Sequence, residues 1–173
     1  MTTKARGKRQ ENSDELRRAM AEALVELMRE KPLGKITAQE IADRAGTGRV
    51  TWFRLLHSKE HAVTWLVKRM WAEHLEKNGF AEVSPTDQEN GRLFFHFNYE
   101  NRELLKLICE NGLRYSLYEA WYGLLLPEPT GDVLAGYVAN TTAYGMVGLL
   151  DHWIKRDFQE TPEQLIAFVE SRG

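Results

Sequence analysis

The chain has 173 residues, 43% of them hydrophobic, which fits one domain or a small domain joined to a larger one. Its single cysteine, Cys109, excludes an internal disulfide. The polar, basic start MTTKARGKRQ has no apolar run of the kind found in a signal peptide. We therefore expect a cytoplasmic protein with a hydrophobic core of its own.

The net charge of −2 is the sum of two parts of opposite sign. Residues 1–78 contain 16 Lys and Arg against 11 Asp and Glu, a net charge of +5, and residues 79–173 contain 7 against 14, a net charge of −7. This division favours a polyanionic partner for the first part only. Ordinary scatter of charge along the chain is the alternative.

The first 34 residues predict a basic arm followed by a helix. The arm, which we expect to be disordered, either follows a nucleic-acid backbone or serves as a solubilising tail; its basic residues are Lys4, Arg6, Lys8 and Arg9. Asn12 or Ser13 is placed to cap the helix. Apolar residues then recur at helical spacing: Leu16, Met20, Ala23, Leu24, Leu27 and Met28. The sequence Pro32-Leu33-Gly34 ends this helix.

The segment 37–60 predicts two short helices joined by a tight turn, with another helix starting just after it. Thr37 and Glu40 match a capping box, and Gly46 supplies the left-handed conformation of the turn. The apolar faces of the two helices are expected to contain Ile41, Ala42, Val50, Trp52 and Leu55. This is the pattern of a helix-turn-helix, whose second helix enters the DNA major groove.

The rest of the chain predicts further helices, and no segment alternates like a strand. Ser58 is placed to cap a helix that ends near Asn78, and Ser84-Pro85-Thr86 marks a break. Later apolar residues predict a helix bent or ended near Asn101, another after it, and long helices over 113–126 and 132–158. Thr161-Pro162-Glu163 opens a last helix, with proline at its first position.

The stretch between Asp132 and Asp151 contains no charged residue. Its length approaches that of a membrane span. Asparagine, threonine and glycine residues dilute its hydrophobicity, however, so we predict a buried helix in a soluble protein and no membrane partner.

An ordered set of residues in the first third of the chain is typical of one protein family. The set comprises a leading helix, Leu16–Leu27, followed by Ile36, Thr37, Glu40, Ile41, Ala42, Ala45, Gly46, Arg49, Thr51, Phe53, Arg54, Ser58, Lys59 and Glu60. In this combination the chain resembles the TetR family of bacterial transcriptional regulators. Its C-terminal part is similar, less sharply, to a branch of regulatory domains that includes activators of dihydroxyacetone kinase operons.

The resemblance implies an all-α fold with two domains. Residues 1–57 would form a three-helix helix-turn-helix DNA-binding domain with its basic arm, and residues 58–173 a C-terminal helical bundle for ligand binding and dimerisation. It also implies a homodimer that offers two recognition helices, each about 48–55, to a near-palindromic double-stranded DNA operator. We expect a transcriptional regulator, a repressor rather than an activator, that responds to a small-molecule effector.

Nine residues are predicted to meet DNA: Thr37, Gly48, Arg49, Val50, Thr51, Phe53, Arg54, His57 and Lys59. Arg49 and Thr51 come early in the recognition helix, where side chains reach base edges or phosphates, and arginine can pair two donors with guanine. Arg54 and Lys59 are suited to phosphate, as is the helix start beside Lys59. The alternative for Arg49 and Arg54 is a solvated surface.

Three positions depart from the pattern of the family. Gly48, Phe53 and Leu55 stand where the family commonly has polar residues, and each loses atoms that would hydrogen-bond to the DNA backbone. They favour a second interpretation, an interaction protein of the same fold with weak or lost DNA binding. An enzyme is not expected, because the chain has no glycine-rich phosphate loop and no nucleophile motif.

The C-terminal part contains candidate residues for an effector and for a dimer interface. Aromatic and polar residues suited to a small-molecule pocket are Tyr99, Tyr118, Trp121, Tyr122, Asn140 and Tyr144. Residues assigned to the dimer interface are Ala143, Val147, Leu150, Trp153, Ile154, Leu165 and Phe168. The alternative for both sets is a core within one subunit.

No metal or cofactor is expected. His57 and His61 are four residues apart, but a helix that begins at Ser58 lies between them, so they need not share a face. A zinc site has little support from such a pair.

Overall fold

The computed structural model describes residues 3–80, 88–125 and 132–171, and no strand occurs among them. The all-α fold class is therefore confirmed. The predicted break at Ser84-Pro85-Thr86 lies outside the described residues.

The helices of the described residues follow the predicted order. They are α1 (Thr3–Glu30), α2 (Ala38–Arg44), α3 (Arg49–Leu55), α4 (Lys59–Lys77), α5 (Gln88–Glu100), α6 (Arg102–Glu110), α7 (Arg114–Leu125), α8 (Val133–Lys155) and α9 (Pro162–Glu170), with a 3₁₀ turn at Leu33–Lys35. The chain forms two compact units, unit 1 (Met1–Leu66 and Leu107–Ser116) and unit 2 (Val67–Lys106 and Leu117–Gly173). The predicted functional division between residues 57 and 58 stays a prediction.

The first helix begins earlier than predicted. Helix α1 starts at Thr3, so the segment expected to be a disordered arm is helical, and neither Asn12 nor Ser13 caps the start of the helix. The segment 3–11 contains no proline and one glycine, and its Lys, Arg, Ala, Gln and Glu residues are all good helix formers. Helix propensity therefore outweighed the capping signal.

The start of α2 is held by the predicted capping box. The backbone N–H of Glu40 donates to the Thr37 hydroxyl at 3.2 Å, and the backbone N–H of Thr37 donates to the Glu40 carboxylate at 2.9 Å. The capping box is therefore confirmed. It satisfies two of the backbone donors that a helix start leaves free.

We expect Thr37→Ala to lower the free energy of unfolding by about 1 kcal/mol, because the Glu40 N–H loses its acceptor. Urea denaturation followed by circular dichroism would measure the change. Gln39→Ala, on an exposed position of the same helix, is the matched control and should leave the free energy of unfolding nearly unchanged. An equal loss in the two variants would contradict a capping role for Thr37.

The turn between α2 and α3 has the predicted glycine geometry. Gly46 has φ of 63°, and the backbone N–H of Thr47 donates to the carbonyl of Ala42 at 2.8 Å. Such a left-handed residue lets the last carbonyls of α2 find donors. The turn ends at Gly48, the extended residue that caps α3.

Helices α1, α2 and α3 pack on one another in unit 1. Their buried apolar residues include Met20, Leu24, Ile41, Ala42, Trp52 and Leu55. The predicted core position of Trp52 is confirmed. Val50 was assigned to the same apolar face and this is wrong, because its side chain is 81% exposed. Since Trp52 and Leu55 face the core, Val50 points away from it along the helix period.

Unit 2 has a core rich in aromatic rings. Its largest fully buried side chains are Phe94, Phe97, Leu105, Leu117, Trp121 and Trp153. Helix α9 packs on α5 and starts at the predicted capping residue Thr161, with Pro162 at its first position. The indole N–H of Trp153 donates to the carbonyl of Glu160 at 3.0 Å, which ties the end of α8 to the start of α9.

The prediction of a buried uncharged helix is wrong for the first half of α8. Val133, Leu134, Tyr137 and Val138 are all exposed in the single chain, and burial begins at Ala143. Among the described helices α8 alone is long and apolar enough to span a membrane, on length and composition only. The sequence did not distinguish a buried helix from an exposed one, because a helix of either kind can be apolar on several sides.

Candidate functional site

Helix α3 presents a mixed basic and apolar surface to solvent. Arg49, Val50, Phe53 and Arg54 are exposed and follow one another around the helix, and we call them the α3 outer face. Trp52 and Leu55 are buried and hold the opposite side of the helix on the core of unit 1. The helix is thus fixed by two core residues and leaves four side chains accessible.

Arg49 is held in place by an aromatic neighbour. Its guanidinium lies 5.3 Å from the ring centroid of Phe53, one turn further along α3. A cation over an aromatic face gains electrostatic attraction and keeps its N–H groups free for another acceptor. Phe53, which is 45% exposed, therefore supports the arginine even though it lacks a hydroxyl group.

Several basic residues of unit 1 pair with carboxylates, unlike the two arginines of the α3 outer face. Arg44 pairs with Glu30, Lys31 with Glu40, and Arg17 with Asp14. Within residues 3–80, 88–125 and 132–171, no carboxylate pairs with Arg49 or Arg54. Their charge is therefore available to an anionic partner.

The ion pair between Lys31 and Glu40 fixes α2 beside the end of α1. Three hydrogen bonds lower the pKa of the Glu40 carboxyl to about 2. The largest contribution comes from Lys31, followed by the backbone N–H and the hydroxyl of Thr37. Glu40 is therefore ionised at neutral pH and accepts from both partners. The contact orients α2, and through the turn at Gly46 it orients α3.

Five other residues predicted to meet DNA surround the α3 outer face. Gly48 is exposed at the start of α3, and Thr51 is half-buried. The hydroxyl of Thr37 is engaged in the capping box, donating to Glu40 at 2.9 Å, and the ammonium of Lys59 donates to the carbonyl of Leu33 at 2.7 Å. The fifth, His57, is exposed with φ of 61°.

The rings of His57 and His61 lie side by side, an arrangement that the sequence left open. Their rings stack with centroids 5.6 Å apart and an angle of 2° between the planes. The left-handed backbone of His57 places its ring beside that of His61, although Ser58 caps α4 by accepting from the His61 N–H at 3.1 Å. No group of three metal-ligating side chains occurs among the described residues.

An open cavity lies between α1 and the C-terminal end of α3. It has a volume of about 450 Å³ and is lined by Asn12, Ser13, Leu16, Arg54 and Leu55. Arg54 belongs both to this cavity and to the α3 outer face.

The six residues predicted to bind an effector fall into separate groups. Trp121 is fully buried, and Tyr99 stacks on Trp153 with centroids 5.7 Å apart. The hydroxyl of Tyr118 donates to Asp151. The rings of Tyr122 and Tyr144 lie 4.7 Å apart, and the exposed Asn140 donates to the carbonyl of Gly136 at 2.7 Å.

Sequence reasoning missed two polar residues of unit 2 that are largely buried. Asn98 is fully buried on α5, and His74 lies on α4 with its side chain 13% exposed. Both residues lie in segments with an ordinary helical pattern. Their spacing does not distinguish them from other polar residues on these helices. The nearest signal is the aromatic density around Asn98, in the sequence FFHFNYE.

Burial sets the protonation of His74. Loss of solvation lowers the pKa of this imidazole, Glu100 raises it in part, and Lys77 and His96 lower it further. His74 Nδ1 lies 3.8 Å from the Glu100 carboxylate, and the ring lies against Trp71 and Phe97. The folded protein therefore favours the neutral form of the His74 imidazole.

We expect stability to fall as the pH drops below 6.5, the ordinary pKa of histidine. The unfolded chain then binds a proton that folded His74 accepts only at a lower pH, so protonation favours unfolding. The midpoint of urea unfolding at several pH values would measure the fall. In His74→Phe part of this pH dependence should disappear, whereas the exposed control His61→Phe on the same helix should retain it.

Most residues assigned to the dimer interface lie inside one subunit. Ala143, Val147, Leu150, Trp153 and Ile154 are buried in the single chain. They form the intramolecular core that the sequence left open as the alternative. Leu165 is half-buried and Phe168 is 45% exposed.

The opposite side of α8 is uncovered along its whole length. We call this side the α8 outer face, and its exposed residues alternate at spacings of four and three: Leu134, Val138, Thr141, Gly145, Gly148 and His152. That spacing is the seam of a pair of packed helices. Outside the backbone of α8, a Cβ built on Gly145 or Gly148 meets no atom within 4 Å in the part of the chain that the structure describes, so another helix can approach closely there.

Comparison with known proteins gives no match: no protein-family model, no curated protein and no solved structure matches this chain.

Proposed function

We propose that this protein is a DNA-binding transcriptional regulator of the TetR type that acts as a homodimer in the cytoplasm. The observation that carries the proposal is the α3 outer face. It offers two arginines that have no carboxylate partner among the described residues, on a short helix fixed on its opposite side by Trp52 and Leu55. A helix of this size and charge suits the major groove. Repression through occupation of an operator is the mode of action that we propose.

The surroundings of α3 support this assignment. The turn at Gly46 and the capping box at Thr37 make α2 and α3 a rigid pair, and rigid presentation limits the entropy lost on binding. Arg49 suits a guanine edge and Arg54 a phosphate. The exposed Val50 suits an apolar contact with a thymine methyl group.

The α8 outer face supports dimerisation. Its regular spacing, its lack of charge before Asp151 and its glycines fit a second copy of the same helix. Phe168 and Val169 on α9 add exposed apolar surface. A dimer with two-fold symmetry would match an operator made of inverted repeats.

The test is to select DNA fragments of the source genome on the purified protein and to search them for inverted repeats. We expect bound fragments to lose affinity by roughly 1,000-fold or more between about 50 and 200 mM salt, because phosphate contacts release counterions. Mobility-shift titrations across that range would measure the slope. No retained fragment at low salt would contradict DNA binding.

A second candidate function is an interaction protein on the same fold. It is favoured by one observation, the two exposed apolar side chains Val50 and Phe53 on the α3 outer face, which a protein partner could cover. In that case the chain would remain folded and dimeric without retaining DNA at low salt. The fragment selection therefore separates the two candidates.

A further inference from the structure

A hydrogen bond joins the two chain segments that flank α2 and α3. The ammonium of Lys59, the first residue of α4, donates to the carbonyl of Leu33 at 2.7 Å, and the contact is partly buried. Leu33 begins the 3₁₀ turn that precedes α2, and Lys59 comes shortly after the end of α3. One side chain therefore connects the segment before α2 with the segment after α3.

The upstream end of this contact is fixed to α2 by the backbone. The Leu33 carbonyl also accepts from the backbone N–H of Ile36 at 3.1 Å, which closes the 3₁₀ turn. Ile36 is 3% exposed, and the next residue, Thr37, caps the start of α2. A displacement of the Leu33 carbonyl would therefore also move the start of α2.

The downstream end is fixed to α3 in the same way. The backbone N–H groups of Leu56 and His57 both donate to the carbonyl of Trp52, at 2.9 and 3.2 Å. The backbone N–H of Ser58 donates to the carbonyl of Leu56 at 2.6 Å. The residues between α3 and α4 are thus hydrogen-bonded to α3 or to one another. A displacement of the start of α4 would therefore also move the end of α3.

The position of the Lys59 ammonium differs from the one expected of a phosphate contact. The sequence predicts that this side chain meets DNA, but the structure directs one of its N–H donors at a carbonyl of its own subunit, and the side chain is half-buried. A hydrogen bond from a charged donor is roughly twice as strong as one between neutral groups. The contact therefore constrains the backbone at both of its ends without DNA.

We propose that Lys59 is a positioning residue, which sets the placement of α3 by holding the start of α4 on the turn before α2. Its consequence for sequence recognition rests on the proposed function, because base contacts require a placement within about 0.5 Å. Its effect on the order of α2 and α3 does not depend on DNA binding. The two consequences can therefore be measured separately.

Hydrogen exchange of the full chain, measured by mass spectrometry without DNA, tests the positioning role itself. Lys59→Met keeps most of the apolar stem and removes the donor, so the backbone amides of α2 and α3 should exchange about tenfold faster than in the wild type. The amides of α5 and α9, which lie in unit 2, should be unaffected. Unchanged exchange in α2 and α3, or an equal acceleration in α5 and α9, would overturn the proposal.

Two further variants make the exchange experiment specific. Lys35→Met removes an exposed charge from the same 3₁₀ turn and leaves the contact in place, so its exchange should match that of the wild type. Lys59→Arg retains N–H donors at a similar reach and should restore most of the protection that Lys59→Met loses. If Lys59→Arg exchanges as fast as Lys59→Met, or Lys35→Met does so, the hydrogen bond is not the cause and the proposal is overturned.

Salt-dependent DNA binding separates positioning from a phosphate contact. Lys59→Met should lower the ratio of affinity for the selected operator to affinity for unrelated DNA by about tenfold or more, with an unchanged salt slope. Loss of a phosphate contact would instead flatten the slope by about 0.9 for each subunit and weaken both kinds of DNA alike. That result, or an unchanged ratio, would overturn the proposal. If the wild type retains no DNA, the proposed function fails, and hydrogen exchange alone decides the role of Lys59.

Discussion

Replacing Arg49 by alanine should weaken binding by about tenfold to a hundredfold for each half-site of the selected operator and leave the fold and the dimer unchanged. The expected loss corresponds to about 1–3 kcal/mol, the value of one bidentate contact between arginine and guanine. The guanidinium is exposed and is steadied by Phe53 at 5.3 Å, so its removal costs the subunit little stability. Fluorescence anisotropy with a labelled operator fragment would measure the loss.

The control for this variant is Arg18→Ala, which removes the same charge from α1. Arg18 pairs with Glu22 on its own helix and lies outside the α3 outer face. It should change operator affinity far less than Arg49→Ala does. Arg49→Lys keeps the charge but not the forked geometry, so an intermediate affinity is expected from it. Equal losses in Arg18→Ala and Arg49→Ala would mean that charge alone determines binding.

Much of the fold could be predicted because local signals were strong. The capping box at Thr37, the glycine turn at Gly46 and the proline at the start of α9 each determine a backbone conformation through nearby atoms alone. The start of α1 could not be predicted in the same way, because a good cap competed with a run of good helix formers. Such a competition is decided by small free-energy differences.

The sequence predicted the candidate sites less well than it predicted the fold. Val50 is predicted both on the apolar face of α3 and among the residues that meet DNA, and its exposure contradicts the first of these predictions. Which side of a seven-residue helix is covered depends on how α3 packs on α1 and α2. The same limit applies to α8, whose apolar residues occur on several sides. Only tertiary packing shows that Val147 and Leu150 face inward and that Val138 faces out.

A glutamate at Gly145 should convert the dimer to a monomer. Gly145 lies near the middle of the α8 outer face, and two-fold symmetry would bring the copies of this position close together. No atom of the described residues beyond the helix backbone and the two neighbouring residues lies within 4 Å of an added Cβ, and glutamate favours a helix more than glycine does. The variant should therefore fold as well as the wild type and lose association through burial of like charges.

Sedimentation velocity would measure this change as a fall from twice the chain mass to the chain mass of 20.0 kDa. The control Gln159→Glu adds the same charge at an exposed position outside the face and keeps the acceptor for Arg156, so it should remain dimeric. A dimer that persists in Gly145→Glu would place the interface elsewhere, and a monomeric wild type would contradict dimerisation altogether.

Loss of the dimer should in turn weaken binding to the whole operator. Two linked recognition helices bind two half-sites with a high effective concentration, which contributes about 100-fold to 10,000-fold in affinity without any new contact. The Gly145→Glu monomer keeps every residue of the α3 outer face, so its affinity for a single half-site should equal that of the wild type. Weakened binding to an isolated half-site would show instead that the substitution disturbs α3 itself.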